Sequence, residues 1–232
     1  MMDKKVTLKI AIDGPGGAGK STLAKALSKK IGFAYVDTGA IYRTVGFAAR
    51  KKGIAPDDAA AVTVMLGQIK VEAKFEGGRQ DMYLDGEFLG DRIREHEISH
   101  YASAVSAVPA VREYLFDMQR SIADNNNVIM DGRDIGTVIL PDAQLKIFLT
   151  ATPEERAMRR TEELIEKGQK ADYEQILADI KERDERDSSR AIAPLKPADD
   201  AILFNNTGYT PEQSQAELLL IVKDKLGVSE VC

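Results

Sequence analysis

The chain has 232 residues, 44% of them hydrophobic and 30% charged, with a net charge of −5. That length suits one α/β domain carrying an embedded module, and the acidic balance argues against a general nucleic-acid surface, so basic groups that meet phosphates must be locally concentrated. The single cysteine, Cys232, excludes an intramolecular disulfide and points to a reducing compartment, the cytoplasm, while no apolar run approaches the ~18 residues that span a membrane and the N-terminus does not read as a signal peptide.

An apolar run from Val6 to Ile12 predicts a first strand, and Thr22 to Leu27 a helix. Phe33 to Val36 predicts a second strand, giving a parallel βαβ unit. Helices are expected from about Gly39 to Lys52 and again after Pro56-Asp57-Asp58, the latter turning Val62, Met65, Leu66 and Ile69 inward. From about 70 to 92 the period changes to two: Val71, Ala73 and Phe75, then Met82 and Leu84, then Phe88-Leu89, separated by Gly77-Gly78 and Asp85-Gly86. Such dipeptides between alternating runs predict a small antiparallel meander. Helical spacing resumes over Ile98 to Ala107 and after Pro109, where Val111, Leu115, Met118 and Ile122 mark a buried face. After a polar loop at Asp124 to Asn127, strands are expected at Val128 to Asp131, Leu145 to Leu149 and Ala201 to Phe204. Thr152-Pro153-Glu154-Glu155 and Thr210-Pro211-Glu212-Gln213 have the form of capping boxes with proline at the first helical position, and a further helix is expected from about Tyr173 to Arg186.

The chemistry begins between the first strand and the first helix. Gly14 to Ser21 fits GxxxxGKS in the strand, loop and helix setting this motif requires. Glycines let successive backbone N–H groups approach a phosphate, and the start of the following helix adds unpaired donors and its positive dipole end. Gly14, Pro15, Gly16, Gly17, Ala18, Gly19, Lys20, Ser21 and Thr22 are therefore read as the residues that bind a nucleoside triphosphate. Lys20 would reach the β- and γ-phosphates and Ser21 would ligate Mg²⁺. Asp131, at the carboxyl end of a strand, has the position of an acid that orients the magnesium shell, or else caps a turn. Arg156, Arg159 and Arg160 share one helix face, as do Arg183, Asp187 and Arg190 if their helix extends far enough. The first group reads as a solvated face salt-bridged to Glu155 and Glu163 or as charge for a transferring phosphoryl group, and the phosphate loop favours the second. His96 to His100 also matches HExxH, a zinc-hydrolase pattern, but the flank Arg92 to Glu95 reads as exposed and surface histidines are the better reading.

Taken together, IDGPGGAGKST (Ile12 to Thr22), DTGAIYR (Asp37 to Arg43), VPAVRE (Val108 to Glu113), DGRDIGTV (Asp131 to Val138) and KERDERDSSRAIAPL (Lys181 to Leu195) resemble the bacterial cytidylate (CMP) kinases over nearly the whole chain. The resemblance implies an α/β nucleoside monophosphate kinase fold, with a five-stranded parallel sheet flanked by helices. It implies a core at about 1–60 and 101–232, a monophosphate-binding insert containing the meander at about 61–100 and a helical lid at about 153–190. It implies ATP and CMP or dCMP as substrates and Mg²⁺ as cofactor; the acidic balance, the lack of a spanning apolar run and the lack of a large unexplained apolar stripe add the expectation of a monomer with no nucleic-acid or membrane partner. Thr38, Arg43, Arg133 and Arg190 are implied to hold the acceptor phosphate, and Ser103, Arg112 and Asp134 to read cytosine. Arg183 and Asp187 would meet the ribose hydroxyls, and Lys20, Arg133 and lid arginines drawn from Arg156, Arg159 and Arg160 would act in catalysis.

Overall fold

The computed structural model describes residues 7–76 and 78–228, without the side chain of His96. Val6, Gly77 and Cys232, which figure in the expectations above, lie outside the described residues. In chain order the elements are β1 (Lys9–Asp13), α1 (Lys20–Ile31), β2 (Ala34–Asp37), α2 (Thr38–Lys51), α3 (Ala59–Leu66), β3 (Val71–Glu76), β4 (Arg79–Leu84), β5 (Glu87–Phe88), α4 (His96–Val105), α5 (Pro109–Asn125), β6 (Val128–Gly132), β7 (Leu145–Thr150), α6 (Pro153–Glu166), α7 (Tyr173–Ser189), β8 (Ile202–Asn205) and α8 (Pro211–Leu226). Among the described residues these include a five-stranded parallel sheet and a three-stranded antiparallel one, β3-β4-β5, with helices around them. None of the described helices is long and apolar enough to cross a membrane.

The chain divides into two compact units, one formed up to Phe33 and from Val128 onward, the other by Ala34–Asn127. In the first unit four strands of the parallel sheet run in the order β6-β1-β7-β8. Every residue of β1 and β6 is buried, as expected of strands covered on both faces. Ile12 pairs with Asp131 on one side and Ile147 on the other, and Thr150 pairs with Asn205. Because all four strands point the same way, their carboxyl ends bring Asp13, Asp131, Thr150 and Asn205 to one edge, where ligands of open α/β sheets bind. Helix α8 opens with a complete capping box, the Thr210 hydroxyl accepting from Gln213 N and the Gln213 side chain from Thr210 N. At α6 the Thr152 hydroxyl accepts from Glu155 N at 3.2 Å.

In the second unit, the expected meander is present. Asp85 (φ +53°) and Gly86 (φ +83°) turn β4 into β5, both in the left-handed region that such two-residue hairpins need. The third run is shorter than expected, because Leu89 leaves the strand to enter a 3₁₀ turn over Gly90–Arg94 and is buried there. Helix α3 stops at Leu66, so Ile69 is buried from the turn beyond it, and α5 continues through Asn125 into the stretch expected as loop. Gly46 of α2 permits close packing on α4, since a Cβ there would stand 2.9 Å from Ala102 N. Within this unit Glu97 pairs with Arg50 at 2.7 Å, His100 is exposed, and no group of three His, Cys, Asp or Glu residues that could hold a metal occurs among the described residues.

Candidate active site

Strand β1 ends at Asp13 and the phosphate loop begins at Gly14, whose φ is +146°. A Cβ at Gly14 would lie 1.9 Å from the Leu149 carbonyl oxygen, so only glycine lets the loop leave the sheet here. Gly19, at φ +89°, caps α1 without any side-chain hydrogen bond, and α1 has no acid in its first turn. Its first N–H groups and positive dipole end therefore face the loop with no carboxylate of α1 itself to compete for them. Lys20, the first residue of α1, is buried and curls back to donate from Nζ to the Pro15 carbonyl at 2.7 Å. Burial foremost, then the charges of Arg133 and Arg183, hold its pKa well below the usual lysine value, against the opposing pull of Asp131 and Asp13. A lysine whose charge is under-compensated in this way gains most when an anion arrives.

Ser21 Oγ donates to Asp131 Oδ2 at 2.7 Å, and Asp131 is buried at the end of β6. A hydroxyl oriented by a carboxylate is a hard oxygen donor set, which fits Mg²⁺ held mainly by phosphates and water. The expected arginines of the same unit converge on the loop. A Cβ on Gly16 would stand 3.4 Å from Arg133 Nη2 and 3.6 Å from Arg183 Nη1, so both guanidinium groups hang over its crest. Arg133 Nε donates to Asp187 Oδ2 at 2.9 Å, and Arg183 Nε lies 4.0 Å from the same oxygen. Although burial opposes its ionisation, Asp187 is held below the usual carboxylate range by Arg133, Arg183 and Arg190. Helix α7 does extend to Ser189, which carries Asp187 on its last turn and leaves Arg190 as the residue that ends it, with Nη2 on the Ala193 carbonyl at 2.9 Å.

The three arginines of α6 part company. Arg156 is 2% exposed and binds Gly16, Ala151 and Asp184. Arg159 pairs with Glu155 and donates to Asn206, whose Nδ2 in turn donates to the Ala18 carbonyl. Arg160 is half-exposed and pairs with Glu163.

Two residues of this unit escaped the sequence reading. Asp13 is buried and accepts from Ile135 N at 2.8 Å and Gly136 N at 2.7 Å, fixing the single π-helical turn Ile135–Ile139 that follows Asp134. Burial raises its pKa to about 6, more than the two amides and Lys20 lower it. Asn206 is buried behind the loop. Neither has a local signal: Asp13 acts 122 residues away in sequence and Asn206 188 residues away.

In the second unit, Asp37 caps α2 by accepting from Ala40 N at 2.8 Å and holds Arg43 Nη2 at 2.8 Å. Arg43 lies so close over the helix start that a Cβ on Gly39 would be 3.0 Å from its Nη1. Thr38 is buried beside them. Gln80 of β4 accepts from Asp37 N at 2.7 Å, tying this cap to the meander, which periodicity alone did not indicate. Ser103 and Arg112 are brought together through Ser106, whose Oγ donates to the Ser103 carbonyl at 2.8 Å and whose carbonyl accepts from Arg112 Nη1 at 3.1 Å. The Ser103 hydroxyl itself is buried and has no hydrogen-bond partner. A buried orphan hydroxyl is costly unless a ligand uses it.

A family model described as cytidylate kinase matches residues 10–224. A protein of Caldicellulosiruptor bescii named cytidylate kinase is 49% identical over 212 residues, 91% of this chain and 94% of the relative. One of the same name from Pelotomaculum thermopropionicum is 50% identical over 88% of this chain and 91% of its own length. Among solved structures, an uncharacterized protein from Eubacterium ventriosum superposes with a TM-score of 0.53 at 14% identity, covering 94% of this chain and 99% of that one, a likeness of fold alone.

Proposed function

The chain belongs to the cytidylate kinase family, and from that premise we propose that it transfers the γ-phosphoryl group of ATP to CMP or dCMP, giving ADP and CDP or dCDP. The observation that carries the reading is the convergence of Lys20, Arg133 and Arg183 on the glycine loop, with Ser21 oriented by Asp131 beside it.

Phosphoryl transfer asks mainly for positioning and for positive charge on the separating equatorial oxygens. Lys20 exchanges its bond to the Pro15 carbonyl for the β- and γ-phosphates, and Arg133 and Arg183 face the transferring group from above Gly16. Ser21, oriented by Asp131, would hold Mg²⁺, which would supply positive charge against the charge that develops on the phosphate oxygens. The acceptor is an anion already, so no general base is needed. Thr38, Arg43, Arg133 and Arg190 are assigned to its phosphate, Arg183 and Asp187 to its ribose. Ser103, Arg112 and Asp134 are assigned to cytosine, whose amino group suits a carboxylate and whose carbonyl and ring nitrogen suit donors. The α6 and α7 hairpin is the lid that excludes water from ATP. With an acidic net charge and small anionic substrates, we place the enzyme in the cytoplasm as a monomer without nucleic-acid or membrane partners.

A coupled assay of ADP release with ATP, Mg²⁺ and each of CMP, dCMP, UMP and AMP tests this. The cytosine nucleotides are expected to exceed the others in kcat/KM by at least tenfold. Equal rates for UMP or AMP, or release of ADP indifferent to any acceptor, would refute the assignment.

A further inference from the structure

Arg156 belongs to the arginine-rich face of α6 and is the most deeply buried of its three arginines. Four of its five N–H groups are engaged: Nε on the Ala151 carbonyl at 3.0 Å, Nη1 on the Gly16 carbonyl at 3.0 Å and on Asp184 Oδ1 at 3.1 Å, and Nη2 on Asp184 Oδ2 at 2.5 Å. The stem is equally confined, since a Cβ on Gly17 would lie 3.3 Å from Arg156 Cβ. Such a two-pronged pair, with the arginine 2% and the aspartate 26% exposed, holds one geometry better than a surface ion pair does. It ties three segments together: Arg156 on the first turn of α6, Asp184 in the middle of α7, and the crest of the phosphate loop. Asp187, one turn beyond Asp184 on the same helix, accepts a single bond from Arg133 Nε at 2.9 Å.

We propose that Asp184 is a positioning residue of the ATP site. By gripping both terminal nitrogens of Arg156 it keeps Nη1 on the Gly16 carbonyl, so that this carbonyl is turned away from the anion and the amides of the loop crest face it. Arg156 serves as a strut in this arrangement, and the phosphate-facing charge comes from Lys20, Arg133 and Arg183. The opposite arrangement, in which Asp184 restrains a catalytic arginine until ATP releases it, predicts effects of the opposite sign.

The test is titration of the whole enzyme with Mg²⁺-ATP in a calorimeter, without CMP, so that its failure is separate from any failure of the acceptor assignment. Asp184→Asn keeps the shape and removes the charge; Arg156→Lys keeps the charge and removes the planar fork. Both are expected to weaken ATP binding at least fivefold at a temperature where circular dichroism shows them folded. In steady state the loss is expected in KM for ATP, with kcat at saturating ATP lowered less than threefold. Should Asp184→Asn fail to fold, Arg156→Lys alone carries the test. A Kd for ATP weakened less than fivefold in a folded variant, with only the unfolding temperature lowered, would make the pair merely structural and overturn the proposal. A kcat above that of the unsubstituted enzyme in Asp184→Asn would overturn it too, in favour of the restrained-arginine arrangement.

Discussion

Asp13 is a carboxylate with two backbone donors and almost no water, and its burial outweighs both bonds in setting its proton affinity. With a folded pKa of about 6 against an ordinary value of 3.8, the native protein keeps a proton between those pH values that the unfolded chain has lost. Stability from this group is therefore complete below about pH 4 and lost as pH rises through about 6. The span corresponds to on the order of 3 kcal/mol. Asp13→Asn cannot titrate, and its amide offers an acceptor to only one of Ile135 N and Gly136 N, so it is less stable throughout. The informative quantity is the stability difference between the two proteins, followed by urea denaturation from pH 4.5 to 7.5. It is expected to shrink steadily as pH rises, and a flat difference would show that Asp13 does not titrate in this range. The charge of Asp134 adds to the rise of the Asp13 pKa and that of Lys20 opposes it.

At the scale of elements, the phosphate loop shows two different reasons for glycine. At Gly14 the obstacle is the sheet itself, the Leu149 carbonyl standing 1.9 Å from where a methyl would go. At Gly19 the side-chain space is open, the nearest atom being Asn206 Nδ2 at 3.8 Å, and only the left-handed backbone is strained. Gly19→Ala should thus cost about 1–2 kcal/mol, whereas Gly14→Ala must displace β7 and should cost on the order of 4 kcal/mol or fail to fold. Urea midpoints of the nucleotide-free proteins decide the order, and equal losses would contradict it. The motif told where these glycines fall but not which obstacle each avoids, because Leu149 arrives from a distant strand. The same limit applies more widely. β1, β6 and β7 were legible because burial on both faces leaves continuous apolar runs, and the meander because burial on one face leaves alternation; β8 was read from its apolar run although Leu203 is exposed. The π-turn at Ile135–Ile139 was not legible, since five residues hold no period and its anchor is Asp13. The roles of Arg156, Arg159 and Arg160 were equally hidden: identical residues at neighbouring positions were told apart only by Asp184, Asn206 and Glu163.

Over the whole molecule, a chain of net charge −5 gathers Lys20, Arg133, Arg183 and Arg190 around Asp131 and Asp187 in one unit, while Arg43 and Arg112 belong to the other. The proposed assignment divides the work accordingly, with phosphoryl transfer resting on the first unit and much of the acceptor's identity on the second. Lys20→Ala is expected to lower kcat by about 10²–10³ while changing KM for CMP little. Ser103→Ala should behave in the reverse sense. Its hydroxyl is buried without a partner in the nucleotide-free protein, so removing it should leave stability unchanged or raise it by about 1 kcal/mol. On the proposed assignment CMP supplies that hydroxyl's partner, and its loss should raise KM for CMP about fivefold, a loss of about 1 kcal/mol in binding, with kcat nearly retained. Thermal unfolding without nucleotide and steady-state kinetics on the same preparation measure both halves. A Ser103→Ala protein that is less stable and unchanged in KM would show that the hydroxyl serves the fold and not the base. One that is at least as stable yet weaker for CMP would show the opposite: a small instability is maintained in the second unit because the substrate resolves it.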